Sequence, residues 1–109
     1  MAKKLRIHQI VYKQLDEVYE FYLNLSNDRE VAQKVEDKFL EVIVGLKSNY
    51  KNGLKLSNKV KFDTNAKFVM LYKRAIIYDV YEDEIHVTSI FPMLRDFGRL
   101  QQNEDGYYI

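Results

Sequence analysis

Three arginines and the lysine beside one of them carry the clearest binding chemistry in this chain. Arg74, preceded by Lys73, falls at a predicted strand end, and Arg95 and Arg99 follow the last predicted strand four residues apart. Met93, Leu94, Phe97 and Leu100 are interleaved with that second pair. Guanidinium groups among bulky apolar side chains make up the hot spots of protein interfaces. Lys73, Arg74, Arg95 and Arg99 are therefore the expected target-binding residues. Arg95 has a second reading, local pairing with Asp96 or with the acidic run Glu82-Asp83-Glu84.

Proton-transfer and metal chemistry are less well supplied. The two histidines, His8 and His86, fall on different predicted strands, and neither has a ligand spacing such as HxxxH. His86 stands between Ile85 and Val87, so its side chain leaves the face those two share. It reads as a general base or as an ordinary strand residue. Asp16, Glu17 and Glu20 read better as the solvated rim of a helix than as paired catalytic carboxylates. Glu82-Asp83-Glu84 is the tip of a hairpin and lacks the spacing of a calcium loop. The chain has no cysteine, hence no disulfide framework and no thiolate metal site. Its glycines form neither GxGxxG, GxxxxGKS/T nor GxSxG. No cofactor, no metal and no catalytic set is expected.

Charge and aromatic content sharpen this. The net charge of +1 hides a division: Lys47 to Arg74 holds eight basic residues against one acid, and Ala75 to Ile109 two against seven. Such asymmetry points to a positive surface facing nucleic acid or an acidic protein segment, or to lysines that solubilise a long loop. Among the nine tyrosines, Tyr12, Tyr19, Tyr22, Tyr72, Tyr78 and Tyr81 are expected to turn their rings inward, with hydroxyls at the edge. A base-stacking platform is the alternative. No apolar run is long enough to span a bilayer. The basic start, Met1 to Arg6, leads into a short alternating segment instead of a signal-peptide core, so a cytoplasmic protein without membrane contact is expected.

These residues must be positioned by a recognisable set of elements. Leu5 to Ile10 alternates and predicts a strand. Val11, Leu15, Val18, Tyr22 and Leu25 form one helical stripe, with acids early in that helix suiting its positive end. Asn27 and Glu30 have capping-box spacing ahead of a second helix with Val31, Val35, Phe39, Val42 and Leu46 in register, widened by Ala32 and Ile43. Asn49 to Asn58 reads as a polar loop turning at Asn52-Gly53, and Val60 and Phe62 begin a strand that Asp63-Thr64-Asn65 turns. Lys67 to Tyr81 is too long for one strand and divides near Tyr72-Lys73-Arg74; Ile85 to Phe91 is the last strand, ended by Pro92. Its density of β-branched and aromatic residues predicts buried strands. The 109 residues suit one domain, with a polar tail at about 101–109. The fold class is α+β: an N-terminal strand and an antiparallel helical hairpin packed on a mostly antiparallel sheet of about four strands.

The first helix around Leu15 to Phe21, the second amphipathic helix, Ala75 to Val80, an acidic turn, Ile85 to Ile90 and Leu94-Arg95-Asp96 together resemble the RelE/ParE superfamily of type II toxins. The resemblance in element order runs from about Lys3 to Leu100. It implies a plasmid-stabilisation-type toxin silenced by a cognate antitoxin, in a homodimer or a toxin–antitoxin hetero-oligomer, with the helix stripes and sheet face forming the antitoxin groove. RelE-like members cut ribosome-bound messenger RNA with basic residues on the middle strands and His, Tyr or Arg after the last strand. Here the middle-strand positions fall near Phe68 and Val69, and the last strand is followed by Phe91-Pro92-Met93-Leu94. Lys73, Arg74, His86 and Arg95 are the residues that would supply such a ribonuclease. ParE-like members poison DNA gyrase by binding it and need no such set, and Phe91 to Arg95 looks closer to them. A ParE-like growth inhibitor is the expectation, with a messenger-RNA endoribonuclease and a non-toxic interaction module as alternatives.

Overall fold

The computed structural model describes residues 2–56 and 65–92. The elements run β1 (Lys4–Ile7), α1 (Gln9–Ser26), α2 (Arg29–Asn49), a 3-10 turn (Tyr50–Asn52), β2 (Leu54–Lys55), β3 (Lys67–Leu71), β4 (Arg74–Val80) and β5 (Glu84–Pro92). They form the expected α+β arrangement, with five strands in the order β1-β5-β4-β3-β2 where about four were expected. β1 runs parallel to β5 and every other pair is antiparallel.

β1 ends earlier than the alternation predicts. His8 donates its N–H to the Val87 carbonyl, closing the ladder, and its own carbonyl accepts from Val11, opening α1. Gln9 and Ile10 are therefore helical. Acids do not occupy the first turn of α1, contrary to expectation. The α1 stripe buries Val11, Leu15 and Val18, but Leu25 is 70% exposed because the sheet does not reach it.

The junction of the helices also differs from the predicted capping box. Asn27 adopts the left-handed conformation, φ 55°, and its N–H closes α1 on the Leu23 carbonyl. Asparagine tolerates that conformation better than most residues. Asp28 then takes the N-cap role, accepting the Glu30 N–H at 2.8 Å. In α2 the buried stripe is Ala32, Val35, Phe39, Ile43 and Leu46, while Val31 is exposed and Val42 half-buried. The stripe is thus turned slightly from the predicted one.

Both helices bury their stripes against one face of the sheet, with Ile76, Tyr78, Ile85, Val87 and Ile90. The antitoxin groove expected on those stripes is thereby occupied by the protein's own core. A smaller cluster, Leu56, Ala66, Phe68, Ala75 and Ile77, holds the opposite face. Ala75 to Tyr78 are all buried, as the continuous apolar run predicts. The segment read as a polar loop contributes β2 and the fully buried Leu56. The strand predicted at Val60 and Phe62, the Asp63-Thr64 turn and the 101–109 tail lie outside the described residues.

β3 and β4 divide where predicted, without a glycine. Tyr72 and Lys73 have φ of 49° and 60° and join the Leu71–Arg74 pair in a two-residue hairpin loop. Positive φ at both central positions is the geometry that normally selects Asn-Gly. Lys73→Gly should relieve this strain and stabilise the protein by roughly 0.5–1 kcal/mol. Urea unfolding checks it; an unchanged or lower midpoint would count against a strained turn.

β5 carries a bulge at Thr88, since Tyr78 faces Val87 while Ile77 faces Ser89. Thr88 Oγ1 donates to the Ile77 carbonyl, keeping the disturbed backbone satisfied. Past the end of β1, the Gln14 side chain takes the place of a neighbouring strand. Its Oε1 accepts the Ile90 N–H at 2.6 Å and its Nε2 donates to Ser89 Oγ at 3.1 Å. α1 thus steers the end of β5 toward Pro92.

Candidate functional site: a cation-aromatic groove and a titratable corner

The groove lies where α1 passes the β3–β4 turn and the end of β5. Phe21, Tyr22, Tyr72, Lys73, Arg74 and Pro92 line about 310 Å³. Arg74 pairs with Pro92 across β4 and β5, so its side chain starts at the last described residue of the sheet. The guanidinium lies 4.9 Å from the Phe21 ring centre and 5.6 Å from that of Tyr22. Such stacking holds a cation in place without neutralising it. Phe21 packs edge-on to Tyr22, Tyr22 edge-on to Tyr72, and Tyr72 rests against buried Phe39.

The titratable corner lies toward the other end of β4. The register aligns Arg6, His86 and Asp79 in one row across β1, β5 and β4. His86 Nε2 is 2.7 Å from Glu84 Oε2, and its ring is 4.5 Å from that of Tyr81 and 5.8 Å from that of His8. Arg6 Nε lies 3.0 Å from both Glu84 oxygens. A cavity of about 340 Å³ beside Asn65, Asp79, Val80 and Tyr81 adjoins it. Glu84, expected at a hairpin tip, begins β5 and anchors this cluster.

Burial, then the neighbouring His86, pushes the His8 imidazole below its ordinary value, while Asp79 opposes the shift. Burial pushes the Asp79 carboxyl up, with both imidazoles pulling it back. Hydrogen bonds from His86 and then Arg6 hold Glu84 below the usual carboxylate range. The unfolded chain protonates His8 near 6.5 while the folded chain resists, so the unfolded state holds more protons and stability falls as pH drops below that value. Glu84 adds to the loss below its ordinary 4.5, and Asp79, protonated more readily when folded, offsets part of it. The urea midpoint should therefore fall between about pH 7 and about pH 5.5, and His8→Asn should flatten that fall. An equal slope in the variant would remove His8 as its source.

The structure brings Lys73 and Arg74 together, as expected, and separates them from His86. His86 is level with Asp79, five residues along β4 from Arg74, which is roughly 16 Å at strand rise. Arg95 and Arg99 lie outside the described residues. His86 leaves the face of Ile85 and Val87, as the alternation predicts: it is half-buried while they are fully buried. Sequence reasoning missed Phe21 and Tyr22 as groove walls, and the meeting of His8, Asp79, Tyr81 and Glu84 at one corner. Imidazole, phenol and guanidinium groups converge there, where the sequence predicts no catalytic set. Nor do the tyrosines all turn inward: Tyr78 is buried, but Tyr12, Tyr72 and Tyr81 are 53%, 44% and 51% exposed.

Among the described residues, no group of three or more His, Cys, Asp or Glu side chains could hold a metal ion. No helix there is long and apolar enough to cross a membrane.

No protein-family model matches the chain. Over 94 residues it is 30% identical to the exodeoxyribonuclease 7 large subunit of Clostridioides difficile (strain 630), a match that takes in 84% of this chain. The chain spans only 23% of the length of that curated relative. A solved structure of the chromosomal ParDE TA system from P. aeruginosa superposes with a TM-score of 0.70 at 18% identity, covering 85% of this chain and 98% of that one. The fold is ParE-like.

Proposed function

We propose that this protein is the toxin of a type II toxin–antitoxin pair, inhibiting growth by binding a cellular protein, with DNA gyrase as the expected target. A cognate antitoxin silences it. Lys73 and Arg74 contact the target, joined by Arg95 and Arg99. The observation that carries this reading is Arg74, held by the Phe21 and Tyr22 rings and paired with no acid among the described residues, on a ParE-like fold. Arg6, by contrast, is spent on Glu84. Expression of the chain without an antitoxin should arrest growth and alter plasmid supercoiling. Unimpaired growth with unaltered supercoiling would overturn the proposal.

A second reading, a messenger-RNA endoribonuclease, is favoured by the corner of His8, His86, Tyr81 and Glu84. It ranks lower because cleavage needs cations free to meet a phosphate. At the corner, Arg6 and His86 both already engage Glu84. Messenger cleavage in a translating extract that disappears with His86→Ala would reverse the ranking.

A further inference from the structure

We propose that the groove of Phe21, Tyr22, Tyr72, Lys73 and Arg74 receives an acidic segment of a partner protein: a carboxylate on Arg74 and Lys73, and a neighbouring bulky apolar side chain against the rings. This rests on reading the groove as a protein-contact surface, and it specifies the chemistry of what enters.

Charge comes first. The side-chain ion pairs among the described residues are Arg6–Glu84, Lys38–Glu41 and His86–Glu84, and none involves Arg74 or Lys73. Among the described residues, the polar contact that Arg74 makes is a long one, 3.4 Å to the Tyr72 carbonyl, and no carboxylate lines the groove. A guanidinium held by rings and facing no anion among the described residues is complementary to a carboxylate, which it can grip with two parallel hydrogen bonds.

The walls supply the apolar half. Phe21 is 51% exposed and Tyr72 44%, and Leu25, one turn beyond Phe21 on α1, extends the surface. About 310 Å³ is the small end of a ligand pocket, with room for a side chain or two. The parts are pre-ordered: the tight Tyr72-Lys73 turn and the Phe39 contact fix the Tyr72 ring. Little ordering cost is then left to binding.

Nucleic acid fits less well. Arg74 lies over the Phe21 and Tyr22 rings, which a base would need for stacking, and two cations make a short electrostatic track.

The test is selection of short random peptides displayed on phage against the full, immobilised chain, followed by anisotropy titration of a selected peptide. Enriched peptides should pair Asp or Glu with Leu, Ile, Phe or Trp. Arg74→Ala and Phe21→Ser should each weaken binding about tenfold or more, while Lys4→Ala, an exposed cation on β1, changes nothing. No enrichment, peptides without that signature, or binding indifferent to Arg74 and Phe21 would overturn the proposal. So would a single-stranded oligonucleotide competing through Arg74, or self-association of the chain that Phe21→Ser abolishes. The toxin reading fails separately: growth arrest without peptide selection spares it, and peptide selection without growth arrest removes it alone.

Discussion

Gly53→Ala is expected to destabilise the protein by roughly 2–5 kcal/mol, the sum of overpacking and a lost buried hydrogen bond. A Cβ on Gly53 would run into the Tyr78 hydroxyl and lie 2.8 Å from its Cζ. Tyr78 cannot retreat, since it is fully buried on β4 within the main core, and its hydroxyl donates to the Tyr50 carbonyl at 2.8 Å. That contact ties the end of α2 and the 3-10 turn to the sheet, so the clash spreads to both. A fall in thermal midpoint of order 10 °C or more is the expected reading. Placing Gly53→Ala in a Tyr78→Phe background should cost less than the sum of the two changes, because they share one contact. Full additivity would show that the glycine matters for another reason.

Phe39→Ala should cost about 3–5 kcal/mol, as large-to-small changes at fully buried aromatic positions do. Phe39 is completely buried at the centre of the α2 stripe and touches the core from both helices and the sheet. Its ring centre also lies 6.0 Å from that of Tyr72, so the same cavity removes the floor beneath the groove. Binding at the groove should therefore weaken in this variant even under conditions where it remains folded. Phe39→Leu, which keeps most of the volume, should retain both properties. Chemical denaturation beside a peptide titration separates the effects, and unchanged binding in folded Phe39→Ala would deny the link between core and groove.

The legible parts of this molecule were those written in periodicity. Val11, Leu15 and Val18, the α2 stripe and the apolar run Ala75 to Tyr78 each follow from the spacing of their own residues. The hairpin break at Tyr72-Lys73 was placed by length alone, because neither residue signals positive φ. β2 and the burial of Leu56 were not legible, since two strand residues and one apolar side chain in a polar stretch make no pattern. Of the groove, Lys73 and Arg74 could be read as a cation pair at a strand end. Phe21 could not, because it looks like any aromatic residue beside a helix stripe until the sheet's reach is known. The corner was hidden for a different reason. Parallel pairing of β1 with β5 brings Arg6 and His8 beside His86 and Glu84 across more than seventy residues, and no local signal records strand order.

Growth after induction of the chain in a bacterial host, without antitoxin, tests the central claim most directly when Arg74→Glu is set beside a combined His8→Ala and His86→Ala variant. At matched levels of folded protein, the wild type and the double-histidine variant should arrest growth and Arg74→Glu should not. Arrest that survives Arg74→Glu but vanishes with the histidines would contradict the account and move the function to the titratable corner.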